Sequence, residues 1–132
     1  MVKDIEKVLV ILKKLGMIAG RTRFQKIIFL LKNKEGIDFD YNFIPYHYGP
    51  YSAELQLEIN LLEAADLLQV IPQDGTLYMH RLTPEGESIA DKIQRKMASS
   101  EKKKLEEALK KYRRKLTSSL IREAKRVAAS ST

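Results

Sequence analysis

Two short apolar runs, Val70-Ile71-Pro72 and Leu77-Tyr78-Met79-His80-Arg81-Leu82, enclose Gln73-Asp74-Gly75-Thr76 in a chain otherwise patterned for helices. An Asp-Gly pair between short apolar runs sets a β-hairpin. Its position inside a helical sequence constrains the fold most. Before it, residues 3–15 place Ile5, Val8, Leu9, Leu12 and Leu15 on one helical face, and Gly16 stops that helix. Met17-Ile18-Ala19 is long enough for a minimal strand. Gly20 and Thr22 open a second helix with Phe24, Ile27, Ile28 and Leu31 as its apolar stripe, closed by Asn33 and Gly36.

Residues 38–51 change character. Phe39, Tyr41 and Phe43 alternate with Asp38, Asp40 and Asn42, the period of an extended segment with one buried face. Pro45, Gly49 and Pro50 break any regular continuation. Six of the ten aromatic residues lie here, so the segment either packs or binds. Ser52 caps a third helix, expected over 52–68, whose apolar residues (Leu55, Leu57, Ile59, Leu61, Leu62, Ala65 and Leu68) cover a broad arc and predict burial on more than one side. Glu58 falls inside that arc and needs a partner if buried. After the hairpin, Thr83 caps and Pro84 opens a helix to about Met97. A final helix is expected over roughly 101–128, followed by a loose tail.

Three helices followed by a hairpin and further helices give the fold class: mainly α with a small β-hairpin, in a winged helix-turn-helix arrangement plus a long basic C-terminal helix. The expected division is a winged-helix domain at 1–97 and the basic helix and tail at 98–132.

Charge is segregated. Residues 1–36 carry nine Lys/Arg and three Asp/Glu, net +6; residues 37–91 carry one Arg and ten acids, net −9; residues 92–132 carry fourteen Lys/Arg and four acids, net +10. Basic segments seek phosphate or acidic partners, and an acidic block does not. The alternative is self-complementation, with the acidic middle packed against its own basic ends. The third helix, where a winged helix would read DNA, holds Glu54, Glu58, Glu63 and Asp66 and no Lys or Arg. Such a helix is repelled by a phosphate backbone.

Tyr48-Gly49-Pro50-Tyr51-Ser52, a Leu-rich helix, a hairpin with an aromatic residue and then Leu82-Thr83-Pro84-Glu85-Gly86 resemble the core of PadR-type winged-helix regulators. Phe24-Gln25-Lys26-Ile27-Ile28-Phe29-Leu30-Leu31, then Phe43, then His47-Tyr48-Gly49-Pro50-Tyr51-Ser52 resemble more closely the YwgA-like proteins and the related Panacea (SocA-like antitoxin) domain. Together the likeness covers about residues 20–90. The first resemblance implies transcription regulation and dimerisation through C-terminal helices. The second implies protein interaction or toxin neutralisation.

There is no cysteine, so disulfides and thiolate chemistry are excluded. His47 and His80 have no metal-ligand neighbours at helix spacing. No phosphate-binding glycine loop or nucleophile elbow occurs. The expectation is a cytoplasmic protein without enzymatic activity, cofactor, metal or membrane association. The leading functional expectation is a DNA-associated protein, a transcription regulator and homodimer. Its phosphate contacts would come from Arg21, Arg23 and Lys26 together with Lys102, Lys103, Lys104, Lys110, Lys111, Arg113, Arg114, Lys115, Arg122, Lys125 and Arg126. Leu105, Leu109, Tyr112, Leu116 and Leu120 form a narrow stripe suited to a dimer seam or to packing on the same chain. The second expectation is a protein-interaction module using Tyr46, His47, Tyr48 and Tyr51 and the acidic third helix.

Overall fold

The computed structural model describes residues 2–75 and 77–130. Thr76 of the expected turn and Ser131 and Thr132 of the expected tail lie outside the described residues. The chain is mainly helical with a small antiparallel sheet. Its elements are α1 (Asp4–Leu15), β1 (Ile18–Ala19), α2 (Arg21–Asn33), α3 (Ala53–Ala64), β2 (Leu68–Pro72), β3 (Tyr78–Leu82), α4 (Pro84–Lys96), α5 (Ser99–Tyr112) and α6 (Thr117–Ser130).

The sheet order is β1-β3-β2. The expected hairpin forms, with Leu68 opposite Leu82 and Val70 opposite His80, and the minimal strand β1 adds Ile18 to the other edge of His80. α1 packs on α4, and α2 packs on α6. α1 is deeply enclosed: Val8 to Leu12 are all buried. Gly16, at φ +80°, ends it by donating to the Leu12 carbonyl at 2.8 Å. Glycine adopts that backbone without a Cβ penalty.

The Leu-Thr-Pro-Glu-Gly stretch has a physical basis. Thr83 Oγ1 accepts from the Gly86 N–H at 3.0 Å and donates to the Asp66 carbonyl at 2.7 Å, so one hydroxyl caps α4 and ties it to the end of α3. Gly86 is required because a side chain there would overlap the Leu67 carbonyl.

Three expectations are corrected. α3 ends at Ala64, not near Leu68: Asp66 turns the chain at φ +59°, Leu67 N–H closes onto the Leu62 carbonyl at 3.0 Å, and Leu68 enters β2. The broad apolar arc of α3 is not buried on more than one side. Leu55, Ile59 and Leu62 face the core, while Leu57 and Leu61 are 59% and 53% exposed. The single C-terminal helix is two helices. α5 stops at Tyr112, α6 starts at Thr117, and helix continues through Ser130 where a loose tail was expected. Thr117-Ser118-Ser119 is a run of helix-starting residues, and Arg23 binds the carbonyls left open at the break.

One core runs through both expected segments, from Val8 in α1 to Ala124 in α6. Each fully buried large apolar side chain, such as Phe24, Leu30 or Leu120, contributes about 1.5–3 kcal/mol by removal from water. Much of the expected dimer seam is part of this core. Leu105, Leu109, Tyr112 and Leu120 are no more than 2% exposed within their own chain, and Leu116, in the break, is 72% exposed. The stripe therefore packs on its own chain.

Candidate functional site

Two adjacent residues of α2 organise the surface. Gln25, buried inside the helix, grips Ser52 with its amide: Nε2 donates to the Ser52 carbonyl at 2.9 Å, and Oε1 accepts from the Ser52 N–H at 2.8 Å. Ser52 in turn caps α3 by accepting from the Leu55 N–H at 3.2 Å. Lys26 Nζ donates to the Pro50 carbonyl at 2.7 Å. Burial, reinforced by the nearby charge of Lys125, lowers the Lys26 ammonium to about 8. The Gln-Lys pair thus explains why these residues precede a Gly-Pro-Tyr-Ser turn.

The turn is a small hairpin. Ile44 and Tyr51 exchange both backbone hydrogen bonds at 2.9 Å, and Tyr46 and Gly49 exchange both at 3.1 Å. Gly49 sits at φ +103° between the stems of Lys26 and Lys125, each 3.3 Å from where a Cβ would stand. Backbone sign and crowding both call for glycine here. The tip presents Tyr46, His47 and Tyr48. Tyr46 packs on His47 and Tyr51, with ring centres 4.6 and 5.0 Å apart. The four expected partner-binding residues are therefore brought together, with Tyr46 57% and Tyr48 61% exposed.

Beneath the tip, Arg21, Gln56 and Asn60 line a polar cleft with Tyr46, Tyr48 and Tyr51. Gln56 and Asn60 bond to each other across one helical turn at 3.0 Å. Leu57 and Leu61, next to them on α3, extend the surface as exposed apolar ground. The apolar arc read from the sequence predicts burial for these two leucines. The separate spacing of Leu55, Ile59 and Leu62 at four and three could have distinguished the buried stripe. The carboxylates of α3 and the turn that follows it divide into two sets. Glu54 accepts from the Asn42 N–H at 2.7 Å, and Glu58 accepts from the Tyr41 hydroxyl. Burial, with Glu58 adding to it, pushes the Tyr41 phenol far up. Glu63 and Asp66 stay exposed.

The expected phosphate-binding residues differ in how far they are engaged within the chain. Lys26 lies in the core. Arg23 donates to the carbonyls of Tyr112, Arg113 and Lys115 at 3.3, 3.2 and 2.6 Å, clasping the α5–α6 break. Lys104 donates to the Gly36 carbonyl at 2.9 Å and Arg113 to the Lys14 carbonyl at 2.8 Å. Lys111 pairs with Glu35 at 2.8 Å and Lys115 with Glu123 at 2.9 Å. Burial raises the Glu35 carboxyl, but hydrogen bonds from Lys111 and Tyr112 outweigh it and hold the group below its ordinary range. Arg21 stacks over Tyr78 at 4.5 Å. Arg122 donates to the Ser119 hydroxyl at 3.2 Å. Lys103, Lys110, Arg114, Lys125 and Arg126 are exposed on α5, the break and α6, and Lys102 is half-buried.

The ion pairs also correct the self-complementation alternative. Lys14–Glu106, Lys34–Glu123 and Lys111–Glu35 join the two basic ends to each other. Among the described residues, the acidic middle contributes only the local Asp91–Arg95 pair. His80 is an interior residue: its Nδ1 lies 3.2 Å from the Ile18 carbonyl, its ring meets Phe24 edge to face, and burial lowers its pKa. Among the described residues no cluster of three or more His, Asp or Glu could hold a metal ion. No helix among them is long and apolar enough to cross a membrane.

The class defined by this geometry is a mainly helical domain with a three-stranded antiparallel sheet, in which α2 clamps an exposed aromatic turn against the start of α3. Among known proteins, the uncharacterized protein YwgA of Bacillus subtilis is 33% identical over 95 residues, covering 69% of this chain. The match spans 56% of that protein, so the chain corresponds to a little over half of its relative's length. No family model and no solved structure matches the chain.

Proposed function

We propose that the chain is a winged-helix protein-interaction module. Its binding face is the outer side of α3 together with the Tyr46–Tyr51 turn, and its partner presents an apolar segment with basic flanks. The carrying observation is the exposure of Leu57 and Leu61 on the helix that a DNA reader would make polar or basic. Large apolar groups beside polar rims mark binding surfaces. The acidic middle supports the basic character of the partner, since among the described residues its carboxylates form a single ion pair, the local Asp91–Arg95 contact at the segment boundary. The order of helices and the β1-β3-β2 sheet support the winged arrangement. The experiment compares the full chain with a Leu57→Asp/Leu61→Asp variant in affinity capture, with duplex DNA binding measured in parallel. Loss of a captured protein with DNA binding unchanged is expected. Unchanged capture counts against the reading.

A second reading is favoured by one observation, the exposed cations Lys103, Lys110, Arg114 and Arg126 on the C-terminal helices. They suit phosphate contact without sequence reading, as in a DNA-associated regulator. Such binding falls steeply between about 50 and 200 mM salt. Absence of duplex binding at low salt excludes it.

A further inference from the structure

We propose that the cavity between α2, the Phe43–Pro50 turn and α6 is a binding site for a small monocarboxylate with an aliphatic body. This goes beyond the interaction reading: the cavity shares the Tyr46–Pro50 turn with the proposed interaction face, but no α3 residue lines it. The cavity holds roughly 490 Å³, within the range of small-molecule sites. Its walls are Phe29, Phe43, Ile44, Pro45 and Tyr46. Phe29 and Phe43 brace one another edge to face at 5.2 Å, so this wall is formed in advance of any ligand. Ile44 leaves 56% of its surface in water, a large apolar exposure that an aliphatic body would cover.

The charge of the site selects the head group. Lys125 and Lys32 line the cavity, and among the described residues no Asp or Glu does. Lys32 already donates to the Tyr41 carbonyl at 2.5 Å. Lys125 is exposed and makes no ion pair among the described residues. It stands beside Lys26 across Gly49, like charge facing like charge. An anion at Lys125 relieves that repulsion. With one free ammonium, one partly engaged ammonium and no arginine in the lining, the site matches a single negative charge better than a phosphate. An apolar body with one charged end is the remaining chemistry: Lys125 holds the carboxylate, and the chain lies along Ile44 and Phe43.

The test is calorimetric titration of the full chain with octanoate, with octanamide as the neutral control and a peptide ending in leucine as a competitor class. Amide shifts are followed by NMR. Saturable octanoate binding is expected, with shifts at Ile44, Gly49 and Lys125 and no comparable binding of octanamide. Lys125→Gln should weaken binding roughly tenfold or more, the loss of a charge-assisted contact. Ile44→Ala should weaken it by a smaller factor. Both side chains are exposed, so neither variant should melt below the parent. Equal binding of octanamide, indifference to Lys125→Gln, no saturation at millimolar octanoate, or tighter binding of the peptide would each overturn the proposal. The Leu57→Asp/Leu61→Asp variant should still bind octanoate, which separates this site from the α3 face.

Discussion

Replacing Gln25 by alanine removes both arms of the clamp on Ser52. The two hydrogen bonds lie at 2.9 and 2.8 Å between groups that are almost wholly buried. Their loss is not symmetric. The Ser52 carbonyl keeps a second partner, the Gln56 N–H at 3.2 Å. Among the described residues the Ser52 N–H has no other acceptor, and it becomes a buried unpaired donor. A lost net hydrogen bond costs about 1 kcal/mol and an orphaned buried donor about 1–3 kcal/mol, so Gln25→Ala should destabilise the chain by about 2–4 kcal/mol. Urea unfolding followed by circular dichroism measures this, with the midpoint falling and the slope unchanged. Native-state hydrogen exchange adds a local test: the amides of Tyr51 and Ser52 should lose protection beyond the global change. A loss below about 1 kcal/mol with Ser52 still protected would refute the clamp as the element that positions the aromatic turn.

Two further variants probe the same framework. Lys26 has a folded pKa of about 8 against an ordinary value of 10.5. Below about 8 both states hold the proton and the burial cost is fully present. Between about 8 and 10.5 the unfolded chain binds more protons, so stability rises with pH by ~1–2 kcal/mol after discounting residual solvent access. Lys26→Met should abolish that rise in denaturant melts taken across this window. Gly86→Ala forces a methyl group onto the Leu67 carbonyl. It should cost about 2 kcal/mol or more, read as a lowered melting temperature, because the overlapping atom is backbone and cannot swing aside.

The helices and hairpin were legible because their signals are local. Ser52, Thr83 and Pro84 start helices by chemistry visible in a few residues, and Phe39, Tyr41 and Phe43 alternate with polar neighbours as the structure places them. The aromatic turn was legible as a cluster, and its four expected residues do come together. What the sequence hid depends on packing. The stripe from Leu105 to Leu120 has the spacing of an intermolecular seam; Thr117-Ser118-Ser119 marks a helix start locally, but only packing shows that the chain folds the stripe inward. Leu57 and Leu61 share composition with the core stripe, and only the position of the sheet and α2 leaves them in water. The basic C-terminal segment reads as one cationic surface, yet Lys104, Lys111 and Arg113 find a carbonyl or carboxylate far away in sequence, and Lys115 finds Glu123 in the next helix. Net charge by segment counts such groups and cannot show which are engaged.

The most direct measurement places a photo-crosslinking amino acid at position 57 or at position 126 in the full chain and compares the products formed in cells. The interaction account predicts a discrete protein adduct from position 57 and none from position 126. Nucleic-acid adducts from position 126, with no protein adduct from position 57, would contradict it.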